Sequence, residues 1–391
     1  MNERPSSFAV PLWQRAARRL RRTYIGLGRG AADLGARAGG QLAHGARFES
    51  RRLAGRDYTL FVPSGAVTGV RMPLLVMLHG CAQDPDGFAA DTGMNVIAEA
   101  ETFLVAYPAQ NAEANRHRCW NWFLPEHQAR GAGEPAWMAR LVEAIGRVHK
   151  VDERRVYVAG LSAGGAMALV LAATYPDRFA AAAAVAGMPY AAARDGLSAV
   201  HLMRRDRETP PGVTWLDPWR QLARSLPQAR WPSPVWPQPP PTDAELSARL
   251  AEAMAGHRRV VPLVLFQGTD DAVVNPVNAE AIVRQWQGLA AGEAGALRIV
   301  QDRGLAPGGR AYTRAVHGDA TGREVIGVYT VDGMGHAWPG GRAFGSTLRD
   351  GTKLTDPQGP DASRLIWDFV SRHRLPDAAR EPAAERPRRA V

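Results

Sequence analysis

From Phe48 onward, apolar positions fall into short runs separated by polar or Gly/Pro-containing turns. Residues 57–62 read as an early strand, closed by Pro63-Ser64-Gly65. The runs 73–78, 103–107, 156–159, 181–186, 260–266 and 325–331 are apolar almost throughout, as strands covered on both faces are. Helical spacing appears over 88–101, 134–149, 277–289 and 362–372, with Trp137, Leu141, Ile145 and Val148 on one stripe of the second. An alanine-rich stretch, 166–174, adds a further helix. Strands alternating with helices at this spacing predict one doubly wound, mostly parallel α/β sheet.

One long interruption, 188–258, breaks the alternation just after the run 181–186. It contains ten prolines from Pro210 to Pro241, together with Trp215, Trp219, Trp231 and Trp236. Insertions at the carboxyl ends of such strands overhang the ligand crevice, so this segment is expected to be a cap supplying aromatic wall. A surface excursion that packs its tryptophans for stability alone is the alternative.

Charge changes the picture only at the ends of the chain. The net charge is +10. Residues 1–47 hold nine arginines against Glu3 and Asp33, a net of +7, and 376–391 hold four arginines against three acids, a net of +1. That leaves +2 for 48–375, the expected catalytic domain, with 376–391 as a disordered tail. Trp13, Leu20, Tyr24 and Leu27 recur at helical spacing among Arg15, Arg18, Arg19, Arg21 and Arg22. A basic amphipathic helix on a granule or anionic membrane surface is one reading, and a solvated tail followed by a Gly/Ala-rich linker is the other. The arginines interrupt the apolar core that a secretory signal needs, which points to a cytoplasmic, granule-associated protein. With the charge confined to a tail and no nucleic-acid-binding fold, no specific nucleic-acid partner is expected.

The chemistry is concentrated at Gly160-Leu161-Ser162-Ala163-Gly164, between the run 156–159 and the helix that follows. Strand, sharp turn and helix are the context of a nucleophile elbow. Ser162 then stands at a helix N-terminus, where backbone N–H groups meet developing negative charge. A serine hydroxyl needs a base, and that base needs an orienting carboxylate. In this fold type the acid and then the histidine follow the serine. Asp271, beyond the run 260–266, is the candidate acid, and adjacent Asp270 takes a turn or capping role. His336, in the Gly-rich loop after 325–331, is the candidate base, in preference to His317 in an irregular stretch and His373 in the last helix. The N–H groups of Ala163 and Cys81 are the candidate oxyanion donors, and His79 is read as structural. No metal or organic cofactor is needed. Two cysteines, Cys81 and Cys119, are too few for a disulfide scaffold and leave room for one bridge.

Four segments, His79-Gly80-Cys81-Ala82-Gln83, Cys119-Trp120-Asn121-Trp122-Phe123, Gly160 to Met167 and Gly335-His336-Ala337-Trp338-Pro339-Gly340-Gly341, resemble the poly(3-hydroxybutyrate) depolymerase family of esterases. The resemblance implies an α/β-hydrolase fold and a serine esterase acting on polyester or small ester substrates. It carries Ser162, Asp271 and His336 over as nucleophile, acid and base. It also implies that Cys81 pairs with Cys119 and that Gln83, Trp120, Trp122 and Trp338 contact substrate. The arginine-rich start departs from the secreted members, for which an extracellular location is the alternative. Feruloyl and acetylxylan esterases share much of the pattern. A serine peptidase and an inactive granule-binding module are the remaining alternatives.

Overall fold

The apolar runs predicted at 73–78 and 156–159 lie side by side near the middle of a ten-stranded sheet. This computed structural model describes residues 45–204, 241–254, 257, 259–294, 297–343, 345–348 and 350–377. The readings for 1–44, for the Pro/Trp-rich centre of the interruption and for 378–391 fall outside those residues.

The strands are β1 (Arg47–Leu53), β2 (Arg56–Val62), β3 (Met72–Leu78), β4 (Leu104–Pro108), β5 (Val151–Leu161), β6 (Ala181–Val185), β7 (Leu263–Gly268), β8 (Arg298–Leu305), β9 (Ala311–Gly318) and β10 (Glu324–Val331). Their spatial order is β1-β2-β4-β3-β5-β6-β7-β10-β9-β8. The six strands from β4 to β10 run parallel, and antiparallel strands finish both sides. Every residue of β3, β4, β6 and β7 is buried, as expected of strands with helices on both faces.

The helices are α1 (Pro85–Thr92), α2 (Met94–Glu101), α3 (Gly133–His149), α4 (Ala163–Thr174), α5 (Gly196–Arg204), α6 (Asp243–Ala253), α7 (Val277–Ala294) and α8 (Ala362–Val370). The single helix expected over 88–101 is two, because Gly93 at φ 64° ends α1 in the left-handed conformation. All twelve residues of α4 are buried, and none carries a charge or a ring. On the described flanks of the interruption, Gln285 of α7 donates to the carbonyls of Tyr190 and Leu246, both at 2.9 Å.

Three strands of the ten-stranded sheet were not expected from the pattern. β1 is a half-exposed edge, and β8 and β9 form an antiparallel hairpin at the other edge. His317 therefore lies on β9, not in irregular chain, and its Nδ1 sits 2.9 Å from Gln287 Nε2. His373 lies just past α8 rather than within it.

Candidate active site

β5 delivers Ser162 to the carboxyl edge of the sheet in a strained turn, with φ 58° and ψ −120°. Two bonds fix this conformation: Ser162 N–H donates to the Val185 carbonyl at 2.8 Å, and the Ser162 carbonyl accepts from Ala166 N–H at 2.9 Å. The flanking glycines are sterically required. A β-carbon on Gly160 would overlap the Gly164 backbone, and one on Gly164 would overlap the carbonyl oxygen of Leu78. The serine is 7% exposed and stands at the N-terminus of α4, whose peptide dipoles favour negative charge there.

Two strands away, Asp271 follows β7 and is fully buried, whereas neighbouring Asp270 points to solvent. Asp271 Oδ1 accepts from the N–H groups of Val273 and Val274, each at 2.8 Å. Its Oδ2 accepts from Gln267 Nε2 at 3.2 Å and lies 2.8 Å from His336 Nδ1. The loop after β10 that carries His336 is held against the end of β7 by main chain. Asp270 N–H donates to the Met334 carbonyl at 3.0 Å, and a β-carbon on Gly268 would overlap that same oxygen. With Asp271 taking Nδ1–H, Nε2 is the ring nitrogen left to accept a proton. Ser162, Asp271 and His336 thus issue from the carboxyl ends of β5, β7 and β10, where ligands gather in sheets of this kind.

The loop after β3 is braced from several sides. Cys81 is joined to Cys119 by a disulfide, with Cα atoms 4.2 Å apart. Ala82 N–H donates to the His117 carbonyl at 2.8 Å. His79 is buried and accepts from Gln110 N–H through Nε2 at 3.1 Å, which places its own proton on Nδ1, 2.7 Å from the Gly80 carbonyl. Burial pushes its pKa down to about 4, so the ring is neutral and structural. The N–H groups of Cys81 and Ala163 find no acceptor among the described residues. Unspent donors at a helix start and in an adjacent loop are what an oxyanion site requires.

The four residues expected to contact substrate lie buried in the loops around the candidate site. Gln83 is buried with both ends of its amide engaged, Oε1 accepting from Gly80 N–H at 2.8 Å and Nε2 donating to Asp91 at 2.9 Å. Trp120 is fully buried and donates to the His79 carbonyl at 3.1 Å. Trp338, also fully buried, donates to Ser363 Oγ at 3.1 Å and meets Phe88 edge-on. Trp122 is buried against Phe123. The Trp120 and Trp338 indole N–H groups and the Gln83 amide are thus satisfied within the protein and brace the loops around the candidate site.

Sequence reasoning also missed the carboxylate that organises the loop from Cys119 to Phe123. Glu134, fully buried at the start of α3, accepts from Asn121 N–H and Nδ2, both at 2.8 Å, and from Gln110 Nε2 at 2.5 Å. Gln110 in turn binds the Cys119 carbonyl at 3.0 Å and touches His79. A lone Glu next to Pro135 carries no local signal of this role. The partners, Gln110 and Asn121, come from two other stretches of chain.

Residues 56–227 match the family model described as Esterase PHB depolymerase. The chain is 31% identical over 279 residues to poly(3-hydroxyalkanoate) depolymerase C of Paucimonas lemoignei, covering 71% of this chain and 57% of that protein. Over residues 56–227 the chain is similar to this esterase family. It therefore spans little more than half the length of that bacterial relative. The chain is also 28% identical over 287 residues to feruloyl esterase B of Neurospora crassa, covering 73% of this chain and 84% of the fungal one. Among solved structures, the acetyl xylan esterase from Aspergillus awamori superposes with a TM-score of 0.56 at 17% identity, covering 83% of this chain and 99% of that one. At that identity the likeness speaks to fold, and the fold is that of an α/β-hydrolase.

Proposed function

We propose that this esterase hydrolyses carboxylic esters of the poly- or oligo(3-hydroxybutyrate) type, or similar short acyl esters, through an acyl-enzyme on Ser162. The Ser162 oxygen attacks the ester carbonyl while His336 Nε2 takes its proton. Asp271 holds the imidazole in the Nδ1–H tautomer and stabilises the imidazolium that forms. The tetrahedral oxyanion is bound by the N–H groups of Cys81 and Ala163. The imidazolium then returns the proton to the leaving alcohol as the C–O bond breaks. A water activated by the same ring releases the acid and restores the serine. The observation that carries this reading is the 2.8 Å contact between His336 and a fully buried Asp271, on the sheet edge that also holds the strained Ser162.

The likeness to feruloyl esterase B, of which the chain covers 84%, supports a carbohydrate-ester reading as the second choice. Assay of the wild-type protein and Ser162→Ala on p-nitrophenyl butyrate, amorphous polyhydroxybutyrate, feruloyl esters and acetylated xylan decides both points. Loss of all turnover in Ser162→Ala is expected, with polyester or butyrate esters preferred by the wild type. Undiminished turnover in the variant overturns the mechanism, and a preference for feruloyl or acetylxylan esters overturns the substrate class. The Cys81–Cys119 bridge favours the extracellular alternative over the cytoplasmic one, since disulfides persist in oxidising compartments. The basic segment 1–47 is proposed to dock the enzyme on a granule or anionic surface. Equal binding to granules and liposomes after deletion of 1–47 removes that role.

A further inference from the structure

β8 ends the ten-stranded sheet and pairs only with β9, so no strand among the described residues meets its outer row of N–H and C=O groups. Such edges invite another strand, and proteins commonly blunt them with short length, proline or charged side chains. β8 carries Arg298, Asp302 and Arg303 but uses neither of the first two devices. It is eight residues long, lacks proline, and leaves seven of its eight residues exposed, which leaves both faces open. Ile299, Val300 and Leu305 are 57%, 52% and 72% exposed, three of the most exposed large apolar side chains in the described chain. Two of its charges lack a salt-bridge partner: Arg298 and Asp302 form no ion pair among the described residues. Asp302 does face Arg314 across the β9 ladder, but Arg314 Nη2 is held by both oxygens of Glu324 at 3.0 Å.

We propose that a second copy of this chain docks here, the two β8 strands pairing antiparallel about a two-fold axis at Val300. The register follows from the sequence of the strand. Because the hydrogen-bonding side of a strand alternates, a two-fold between identical antiparallel strands passes through a residue position. An axis at Asp302 sets two carboxylates opposite one another, and an axis at Gln301 sets Val300 against a carboxylate. An axis at Val300 sets Val300 against Val300 of the second copy. It also sets Arg298 against Asp302 of the second copy, twice by symmetry, and brings the two Ile299 side chains diagonally together. The result is one sheet continuous across both copies, with the two candidate active sites at a distance from the joint.

Sedimentation velocity of the full chain over a concentration series tests this. The wild type is expected to show a monomer–dimer equilibrium. Arg298→Asp and Asp302→Arg, each placing like charges opposite one another, are expected to weaken dimerisation roughly tenfold or more. The double variant Arg298→Asp/Asp302→Arg restores both pairs and is expected to recover the wild-type equilibrium. Circular dichroism melts of the three variants check that each is folded, which a surface strand of this exposure predicts. A wild type that stays monomeric throughout overturns the proposal. So does association of either single variant as tightly as wild type, or a double variant no better than the singles.

Discussion

A β-carbon on Gly164 would overlap the carbonyl oxygen of Leu78 and come within 2.6 Å of the His79 carbonyl. The first turn of α4 and the start of the loop after β3 are therefore in direct main-chain contact, and the candidate oxyanion donors Ala163 and Cys81 are set relative to one another through it. Backbone cannot swing aside as a side chain does. Gly164→Ala is expected to cost about 3 kcal/mol of stability and most of the ester hydrolysis. Gly335→Ala, with nothing within 4 Å of the new carbon, is expected to leave both nearly unchanged. Thermal melts and butyrate-ester assays of the pair check the contrast.

Asp271→Asn keeps the side-chain shape but presents an amide to His336 Nδ1. Hydrogen bonding then favours the opposite imidazole tautomer, and the charge that stabilises the imidazolium is gone. A fall in kcat of about 10³- to 10⁴-fold is expected, with KM little altered. A kcat within tenfold of wild type removes Asp271 from the relay.

Two histidines outside the relay predict an acid-side loss of stability. His79 and His373 are buried, and desolvation lowers each pKa to about 4, with Arg372, Arg323 and Arg259 adding to the effect at His373. The unfolded chain protonates such rings near pH 6.5. Between pH 6.5 and 4 the unfolded state binds more protons than the folded one, so stability is full above 6.5 and falls as the pH drops through this window. Each ring contributes on the order of 3 kcal/mol to that fall. Nε2 of His373 has no hydrogen-bond partner among the described residues, and its ring packs on Phe369 at 4.8 Å, so His373→Phe fits the site. Melting temperatures from pH 4 to 7 are expected to fall less steeply for His373→Phe than for wild type. Parallel curves refute the assignment.

The Cys81–Cys119 bridge spans a sequence separation of 38. Closing a loop of that length in the unfolded chain is worth about 3–4 kcal/mol. Reduction, or Cys81→Ser with Cys119→Ser, is expected to lower stability by that amount. It is also expected to depress kcat more than KM, because the Cys81 N–H is a candidate oxyanion donor. Melts and kinetics with and without reductant check both, and an unchanged kcat removes the link to the oxyanion loop.

How much the amino-acid order revealed depended on burial. β3, β4, β6 and β7 are covered on both faces, so their apolar runs stand out, and the order β5–Ser162–α4 follows from small residues that the steric contacts require. β8 and β9 gave no such pattern. β8 is exposed on both faces, and its alternation of Ile, Val, Gln, Asp and Arg marks neither an inside nor an outside. The split between α1 and α2 turned on a single left-handed glycine, Gly93, inside an otherwise continuous helical spacing. The bracing role of the tryptophans was illegible for a different reason. Motif position put Trp120 and Trp338 near the site, yet only coordinates reveal that the His79 carbonyl and Ser363 already take their indole protons. Glu134 was invisible because its ligands, Gln110 and Asn121, reach it from elsewhere in the chain.

The meeting of Gly268 with the Met334 carbonyl has an evolutionary corollary. Acid and base are registered by peptide groups, whose positions do not depend on which side chains line the surrounding cleft. Side chains around the candidate site can therefore change without moving Asp271 and His336 against one another.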